Sequence, residues 1–389
     1  MRDLDERFRA LRESSAPDLW PDIQRRAPMA GGPRAATRWI AAVAAFALAG
    51  AGLFLVARAF RTDRPPTRPA SAPPEPMVKG TTDIPGAYAV VSGEGSVWVG
   101  AMSLDGSCEG TIHRIDPATG STTAMIPVRG VASWDGSIDV GPDGVWVAGD
   151  LCGPDRELGA LLQRIDPATD EVDLVVDLGA GSVGEVATDG GSAWVSVFRE
   201  PERMEVVRVD AATGQIEATT RLGTSYARQL LAAEGAVWAV ERREEASPEG
   251  SGVLVKIDPV TNEVVAAPGQ LIHPPEAWNG ILWARRRCEI VRIDEATARI
   301  TGDPLSTRCM NSPILESILR SGAGGLWFFE TGTSEPPPRL VRLNPPTGEV
   351  DVRVDGSKLL TPIDFAVTDS AIWIVNYEGS LTRVDLRSP

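Results

Sequence analysis

The residues of this chain that could carry out acid–base chemistry are few. The sequence contains two histidines, His113 and His273, and Glu276 follows the second of them closely. Imidazole and carboxylate groups can exchange protons near neutral pH, so His273 and Glu276 are candidates for a general acid/base pair. His113 lies in an alternating stretch, where we expect it to point into a packed face between two sheets. With so few histidines, the sequence favours a binding protein over an enzyme.

A run of three basic residues is the second candidate site. Arg285, Arg286 and Arg287 could receive an anionic group of a ligand; alternatively, they bridge to the acidic stretch at residues 241–249. The sequence contains no Walker-type phosphate loop, no EF-hand loop and no Ser/His/Asp set in a recognisable motif. No cofactor is predicted, and a divalent metal is expected only if the protein is an enzyme.

A repeated unit must position these residues. A tryptophan between apolar neighbours recurs every 44 to 48 residues. The seven copies are centred on Trp98, Trp146, Trp194, Trp238, Trp283, Trp327 and Trp373. One such strand per unit, at a near-constant period in this range, is typical of a β-propeller.

A second signature, basic–apolar–Asp, follows each tryptophan. Examples are residues 114–116 and 164–166, each followed by a Pro-Ala-Thr turn. Asp opens such a turn by accepting hydrogen bonds from the backbone ahead of it, and Gly takes the left-handed position. Seven copies at one blade position predict a structural role for these residues, either a blade-to-blade ion pair or a turn cap.

The seventh unit ends before a fourth strand can form, and residues 77–86 resemble the fourth strands of earlier units. We therefore expect this N-terminal strand to complete the last blade and close the ring. The predicted fold class is all-β: a seven-bladed β-propeller of four-stranded blades closed by an N-terminal strand, over residues 77–389. A single transmembrane helix is expected to precede it.

The repeat pattern resembles the bacterial YVTN/NHL-type and virginiamycin B lyase-like propellers over roughly residues 77–389. The matching motifs are structural, so the resemblance implies a fold and is nearly silent on activity. The lyase-like propellers include metal-assisted enzymes that use His and Glu. A membrane-anchored, metal-assisted lyase or hydrolase with its site in the propeller funnel is therefore one alternative function, and a structural scaffold is another.

Loop lengths differ strongly between the two faces expected for the ring. Connections between second and third strands share a face with those between blades, and four of them are long: residues 149–159, 198–204, 241–252 and 330–338. Variable loops on a rigid ring usually carry binding specificity, although neutral drift gives the same pattern.

The four cysteines map to this variable face. We expect disulfides between Cys108 and Cys152 and between Cys288 and Cys309, because each pair falls in neighbouring loops. Disulfides imply an oxidising compartment. The alternative is a four-cysteine zinc site, but no C-x-x-C spacing is present.

Three segments precede the repeats. Residues 1–38 predict a cytoplasmic tail with two short amphipathic helices, either a docking site for a cytosolic protein or an amphipathic topogenic tail. Residues 39–60 predict a transmembrane signal anchor, with a cleaved signal peptide as the alternative. Residues 61–76 predict a Pro/Arg-rich stalk. Arginines flank both ends of the apolar run, so the N-in orientation rests on the cysteines.

Charge limits the class of partner. Residues 1–38 carry a net charge of +2, residues 58–74 carry +3, and the remainder carries −20. So acidic a domain repels phosphate backbones, and nucleic-acid binding is not expected. The leading hypothesis is a single-pass cell-membrane protein whose extracellular propeller binds a small-molecule ligand or a protein partner on the funnel face. It could sense that ligand and relay to the cytoplasmic tail.

Overall fold

The computed structural model describes residues 76–130, 137–152, 158–199, 203–222, 227–241, 252–272, 275–286, 288–308, 318–330 and 338–386. The chain divides into two compact units, Met1–Ala72 and Pro73–Pro389, and every described residue belongs to the second. The tail, the anchor and nearly all of the stalk lie outside these residues. Within the described part, no helix is both long enough and apolar enough to cross a membrane.

The described residues form 28 strands and one short 3-10 helix, and the strands make seven four-stranded sheets. Blade 1 contains β2 (Ala87–Gly93), β3 (Ser96–Met102), β4 (Glu109–Ile115) and β5 (Thr122–Arg129). Blade 2 contains β6 (Ile138–Gly141), β7 (Gly144–Cys152), β8 (Leu158–Asp166) and β9 (Glu171–Ala180). Blade 3 contains β10 (Ser182–Thr188), β11 (Ser192–Arg199), β12 (Arg203–Asp210) and β13 (Ile216–Arg221).

The later blades follow the same order. Blade 4 contains β14 (Ala227–Ala233), β15 (Ala236–Glu241), β16 (Gly252–Ile257) and β17 (Val264–Ile272). Blade 5 contains β18 (Pro275–Trp278), β19 (Ile281–Arg286), β20 (Glu289–Asp294) and β21 (Arg299–Ser306). Blade 6 contains β22 (Leu319–Gly322), β23 (Gly325–Glu330), β24 (Arg339–Asn344) and β25 (Glu349–Val354). The 3-10 helix (Gly356–Lys358) then leads to β26 (Pro362–Val367), β27 (Ala371–Asn376) and β28 (Ser380–Asp385) of blade 7.

The N-terminal strand β1 (Met77–Asp83) is the outermost strand of blade 7. It pairs antiparallel with β28, so that Met77 lies opposite Asp385 and Asp83 opposite Ser380. This pairing joins the two ends of the propeller through backbone hydrogen bonds. The predicted seven-bladed ring of four-stranded blades, closed by an N-terminal strand, is confirmed.

The antiparallel order gives the ring two distinct faces. We call the face that carries the second-to-third-strand and blade-to-blade connections the loop face, and the opposite one the turn face. The long connections predicted in blades 2 and 3 are shorter than expected, because β7, β8, β11 and β12 extend into them as regular hairpins. The connections at residues 242–251 and 331–337 lie outside the described residues.

The tryptophans fill the spaces between blades. Trp98, for example, is completely buried and belongs to a cluster with Val145, Val147 and Ile165 of the following blade. Six of the seven tryptophans have at most 2% of their surface exposed, whereas Trp283 of blade 5 has 8%. The tryptophan strands therefore hold neighbouring blades together as well as forming their own sheets.

The two repeated sequence signatures meet in three dimensions. In six blades the third-strand cation lies over the tryptophan of the same blade, 5.0 to 5.8 Å from the ring centroid. The pairs are Arg114 on Trp98, Arg164 on Trp146, Arg208 on Trp194, Lys256 on Trp238, Arg342 on Trp327 and Arg383 on Trp373. The equivalent Arg292 of blade 5 is exposed and makes no such contact among the described residues. A partly desolvated cation–π contact contributes about 1 kcal/mol.

Most of these cations also bridge to the next blade. Arg114 donates to the carbonyl oxygen of Pro167 at 2.7 Å, Lys256 to that of Glu295 at 2.8 Å and Arg383 to that of Ala118 at 2.8 Å. Arg164 and Arg208 bond the corresponding turns of the blades that follow theirs. The predicted blade-to-blade role is thus fulfilled mainly by hydrogen bonds to carbonyls. Ion pairs lie mostly within a blade, as between Arg164 and Asp173 at 2.7 Å.

The aspartates of the third strands cap turns, as predicted. Asp116 accepts a hydrogen bond from the amide of Ala118 at 2.7 Å, and Asp210 accepts one from the amide of Thr213 at the same distance. The hydrogen bond from the Thr213 hydroxyl is the largest cause that lowers the pKa of Asp210, and the bond from the Thr213 amide is the next largest. Short turns of this kind make the turn face regular around the ring.

Candidate functional site: the central channel and loop face

The first strands of all seven blades surround a cavity of about 390 Å³. The cavity therefore lies in the centre of the ring. Its walls combine aliphatic side chains with the charged residues Asp139, Glu185, Glu276 and Arg320. Ligand sites commonly occupy cavities of this kind, so the channel is a candidate functional site.

The positions of these charged residues follow one rule. Asp139, Glu276 and Arg320 each precede the tryptophan of their blade by seven residues and pair with it across the hairpin. Glu185 precedes its tryptophan by nine residues. So does Asp364, a buried acid that bonds Arg320 of the cavity wall and that we count with the channel acids. An offset of two residues returns a strand to the same side, so both positions can face the same space.

Each channel carboxylate accepts a hydrogen bond from a backbone amide of the next blade. The bonds run from Thr188 to Asp139 at 2.8 Å, from Leu230 to Glu185 at 2.9 Å, from Ser321 to Glu276 at 3.0 Å and from Val90 to Asp364 at 2.9 Å. A buried amide without a partner would destabilise the fold, so these acids satisfy donors that no strand of the same blade can reach. They join four blade-to-blade junctions from the inside.

Arg320 joins a fifth junction. Its guanidinium donates to Asp364 of the next blade at 3.0 Å. Burial raises the pKa of Glu276, and the positive charge of Arg320 opposes that shift. Burial likewise raises the pKa of Asp139, and hydrogen bonds from Thr188 oppose it. Hydrogen bonds from backbone amides therefore stabilise these acids, and Arg320 adds a positive charge to the cavity wall.

The predicted acid/base pair cannot be completed from the described residues, because His273 lies outside them. Glu276 is at the second position of the channel strand β18, where it accepts the amide of Ser321. Among the described residues, no group of three or more His, Cys, Asp and Glu side chains is arranged to hold a metal ion.

The predicted basic cluster does not form a single exposed patch. Arg285 is completely buried, donates to the carbonyl oxygen of Phe329 at 3.0 Å and lies 5.1 Å from the ring centroid of Phe328. Arg286 pairs with Glu289 at 2.6 Å, and Arg287 lies outside the described residues. Arg285 therefore contributes to the junction of blades 5 and 6 rather than extending into solvent.

His113 lies in β4 and is half-buried. Burial lowers its pKa. At the equivalent position of blade 2, the buried Gln163 bonds both backbone groups of Arg129 in blade 1, at 3.0 and 2.7 Å. The third-strand position of His113 in blade 1 thus corresponds to a packed blade-to-blade face in blade 2.

Two cysteines belong to the described loop face. Cys108 precedes β4 and Cys288 precedes β20, and both are disulfide-bonded. No described cysteine is a free thiol. The side chain of Cys152 and the whole of Cys309 lie outside the described residues, so the pairing itself stays a prediction.

Of the channel acids, only Glu276 is predicted from the sequence, through its nearness to His273. A detectable signal was present. In four blades, an acidic residue seven or nine positions before the tryptophan interrupts a mostly apolar strand. Because only some blades carry one, the pattern does not show as a repeat.

Comparison with known proteins supports the fold alone. The chain is similar in structure to a catalytically inactive variant of virginiamycin B lyase from Staphylococcus aureus, determined with quinupristin. The TM-score is 0.54 and the identity 17%, over 80% of this chain and 99% of that one. It is also similar to the WD40 domain of Neurospora crassa Pan2, with a TM-score of 0.56 and 9% identity over 81% and 96% of the two chains.

No protein-family profile matches the sequence, and no curated protein does. The fold class of the described chain is the seven-bladed β-propeller.

Proposed function

We propose that this protein is a membrane-anchored, extracytoplasmic propeller that binds a partner on its loop face. In this proposal it senses the bound partner and relays the event to the cytoplasmic tail. The ring is the rigid support, and the connections on its loop face provide the specificity. Binding rather than catalysis is its role.

One observation carries the proposal. The carboxylates of the channel are bound to amides of neighbouring blades, as in Glu276 with Ser321 at 3.0 Å. Groups that hold the scaffold in this way are poorly suited to react with a substrate, because a change in their charge or position would loosen the ring. Variable connections on a rigid ring are where binding specificity usually lies, and the loop face carries them.

The path of the chain also supports the loop face as the binding face, because the chain enters the propeller from the opposite side. Because β1 runs antiparallel to β28 and starts opposite Asp385, it begins at the turn face. The segment before Met77 therefore joins the propeller on the turn face.

The cysteines support an extracytoplasmic compartment. The amide of Gly130 bonds the carbonyl oxygen of Cys108 at 2.9 Å, and a side chain added at Gly130 would touch the backbone of Asp150, two residues before Cys152. The amide of Thr307, two residues before Cys309, bonds the carbonyl oxygen of Cys288 at 2.7 Å. These contacts support the pairs predicted from the sequence, and stable disulfides favour an extracytoplasmic domain.

Site-specific photocrosslinking in the producing cell tests the proposal. A photoreactive amino acid is placed in the full-length protein at Leu104, Arg221 or Arg308 on the loop face, or at Ala168 or Val260 on the turn face. We expect one defined partner to be captured from loop-face positions. Capture from the turn-face positions, or from none of the five, would rule out the proposed binding face.

A further inference from the structure

Ten large apolar side chains of the described propeller are more than 40% exposed. Most occupy the outermost strands, including Met125 in β5, Val175 in β9 and Ile216 in β13. Isolated exposed apolar residues are normal for a protein surface, and here they recur at similar places in successive blades. This group needs no functional explanation.

Three others belong to connections on the loop face around blades 7 and 1. Leu104 is 72% exposed, Leu360 is 52% exposed and Tyr377 is 79% exposed. Leu104 belongs to the connection between β3 and β4, Leu360 to that between β25 and β26, and Tyr377 to the turn between β27 and β28. Leu104 therefore belongs to blade 1 and Tyr377 to the adjacent blade 7, and Leu360 lies in the connection that leads into blade 7.

Backbone hydrogen bonds hold the three segments beside one another. The amide of Tyr377 donates to the carbonyl oxygen of Thr361, the neighbour of Leu360, at 2.8 Å. The connector from β1 to β2 joins the other two segments: Ile84 donates to Gly379 at 2.9 Å, and Gly86 accepts from Met102 at 2.9 Å. Hydrogen bonds thus hold the backbone next to these apolar side chains in place, which lowers the entropy cost of binding.

Carboxylates border this group. Glu378 follows Tyr377 and accepts the hydroxyl of Thr361 at 2.7 Å, and Asp105 follows Leu104 and accepts the hydroxyl of Ser103 at 2.7 Å. These bonds lower the pKa of Glu378 and lower that of Asp105 to about 2. Both groups are exposed and remain ionised throughout the physiological range.

We propose that Leu104, Leu360 and Tyr377, bordered by Asp105 and Glu378, form a docking surface for a protein segment that presents aliphatic side chains beside lysine or arginine. This inference rests on the proposed function, since it names the partner chemistry of the loop face. A tyrosine with adjacent leucines supplies apolar contact area and one hydrogen-bonding group, the combination typical of binding hot spots. Two fixed negative charges at the border select a basic partner and repel an acidic one.

The experiment uses full-length protein in detergent micelles and a phage library of random twelve-residue peptides. Selected peptides are then synthesised, and their affinity is measured by fluorescence anisotropy. We expect the selected peptides to combine aliphatic residues with Lys or Arg. Tyr377→Ala should weaken their binding by about 10-fold or more. Glu378→Gln, which can still accept the Thr361 hydroxyl, should weaken it about threefold and reduce its salt dependence.

Two matched variants serve as controls. Val260→Ser on the turn face and Met125→Ser on an outer strand remove side chains that are 86% and 65% exposed, and they should leave the affinity unchanged. The inference is overturned if no peptide is enriched, if the enriched peptides lack basic residues, or if Tyr377→Ala binds them as the wild type does.

The two proposals can fail separately. If crosslinks form from Arg221 and Arg308 while Tyr377→Ala has no effect on peptide binding, the loop face binds a partner but this docking surface is wrong. If crosslinks form from the turn face instead, the proposed function fails as well.

Discussion

Replacing Asp364 by alanine tests whether the channel carboxylates hold the ring together. Asp364 is 1% exposed and accepts three hydrogen bonds: from the amide of Val90 in blade 1 at 2.9 Å, from its own neighbour Phe365 at 2.8 Å and from Arg320 in blade 6 at 3.0 Å. One side chain therefore connects three blades beside the point where the ring closes. Its removal should be more harmful than the loss of any single hydrogen bond.

The expected magnitude follows from the groups that lose this acceptor. An unsatisfied buried amide costs about 1–3 kcal/mol. The guanidinium of Arg320, whose side chain is 22% exposed, also loses its counter-ion. Breaking a buried pair by removing one partner costs about 3–5 kcal/mol, and the partial exposure of Arg320 places Asp364→Ala near the lower end of that range. Asp364→Asn keeps one acceptor oxygen for the two amides, which donate to different oxygens of Asp364, and should lose less than Asp364→Ala.

The assay is urea-induced unfolding, followed by tryptophan fluorescence and by circular dichroism in parallel. A double-mutant cycle with Arg320→Met should give a coupling free energy of about 1.5–3 kcal/mol. Asp369, an exposed acid in the same blade, provides the matched control, and Asp369→Ala should change stability by less than about 0.5 kcal/mol. If Asp364→Ala were no more destabilising than Asp369→Ala, the role assigned to the channel acids would be wrong.

Three further predictions concern other parts of the ring. Glu276 has a raised pKa, so its carboxyl keeps a proton in the folded ring where the unfolded chain has lost it, and folding stability should fall as pH rises above 4.5 through the raised value. Glu276→Gln should flatten that fall, measured as urea midpoints from pH 5 to pH 8; an unchanged slope would contradict the explanation. Arg208→Met should destabilise the protein by about 1–2 kcal/mol, because Arg208 stacks on its tryptophan and bridges two blades. In the same denaturation assay the exposed Arg292→Met should change stability by less than about 0.5 kcal/mol, and equal effects would argue against the stacking. Gln163→Ala should cost about 1–3 kcal/mol by leaving both backbone groups of Arg129 without this partner, and a neutral result in that assay would refute the bridge.

The fold was predictable because its signals repeat. Seven tryptophans at a period of 44 to 48 residues indicate seven blades, and the missing last strand assigns residues 77–86 to the closure. The capping role of Asp116 and its equivalents was equally accessible, because that chemistry is local to five residues.

The contacts between blades were not accessible in the same way. The stacking of Arg114 on Trp98 joins residues 16 positions apart, whose sides of the sheet depend on the strand register. Arg285 belonged to a basic run and was expected to meet ligands or the acidic stretch. Its side chain instead lies between blades 5 and 6, where it stacks on the ring of Phe328. Charge in a sequence does not distinguish exposure from a buried, compensated position.

The docking surface also has no sequence signal. Leu104, Leu360 and Tyr377 are separated by up to 273 residues, and ring closure links their backbone segments through the connector between β1 and β2. Their exposure and their shared backbone bonds are properties of the folded ring.

Amide hydrogen exchange of the full-length protein, with and without a peptide selected on it, tests the central claim most directly. The account predicts slower exchange at loop-face amides such as those of Ser107, Tyr377 and Gly379, with no change at turn-face amides such as those of Ala118 and Val260. Protection of the turn-face amides, with the loop-face amides unaffected, would contradict the claim that this ring presents its loop face for binding.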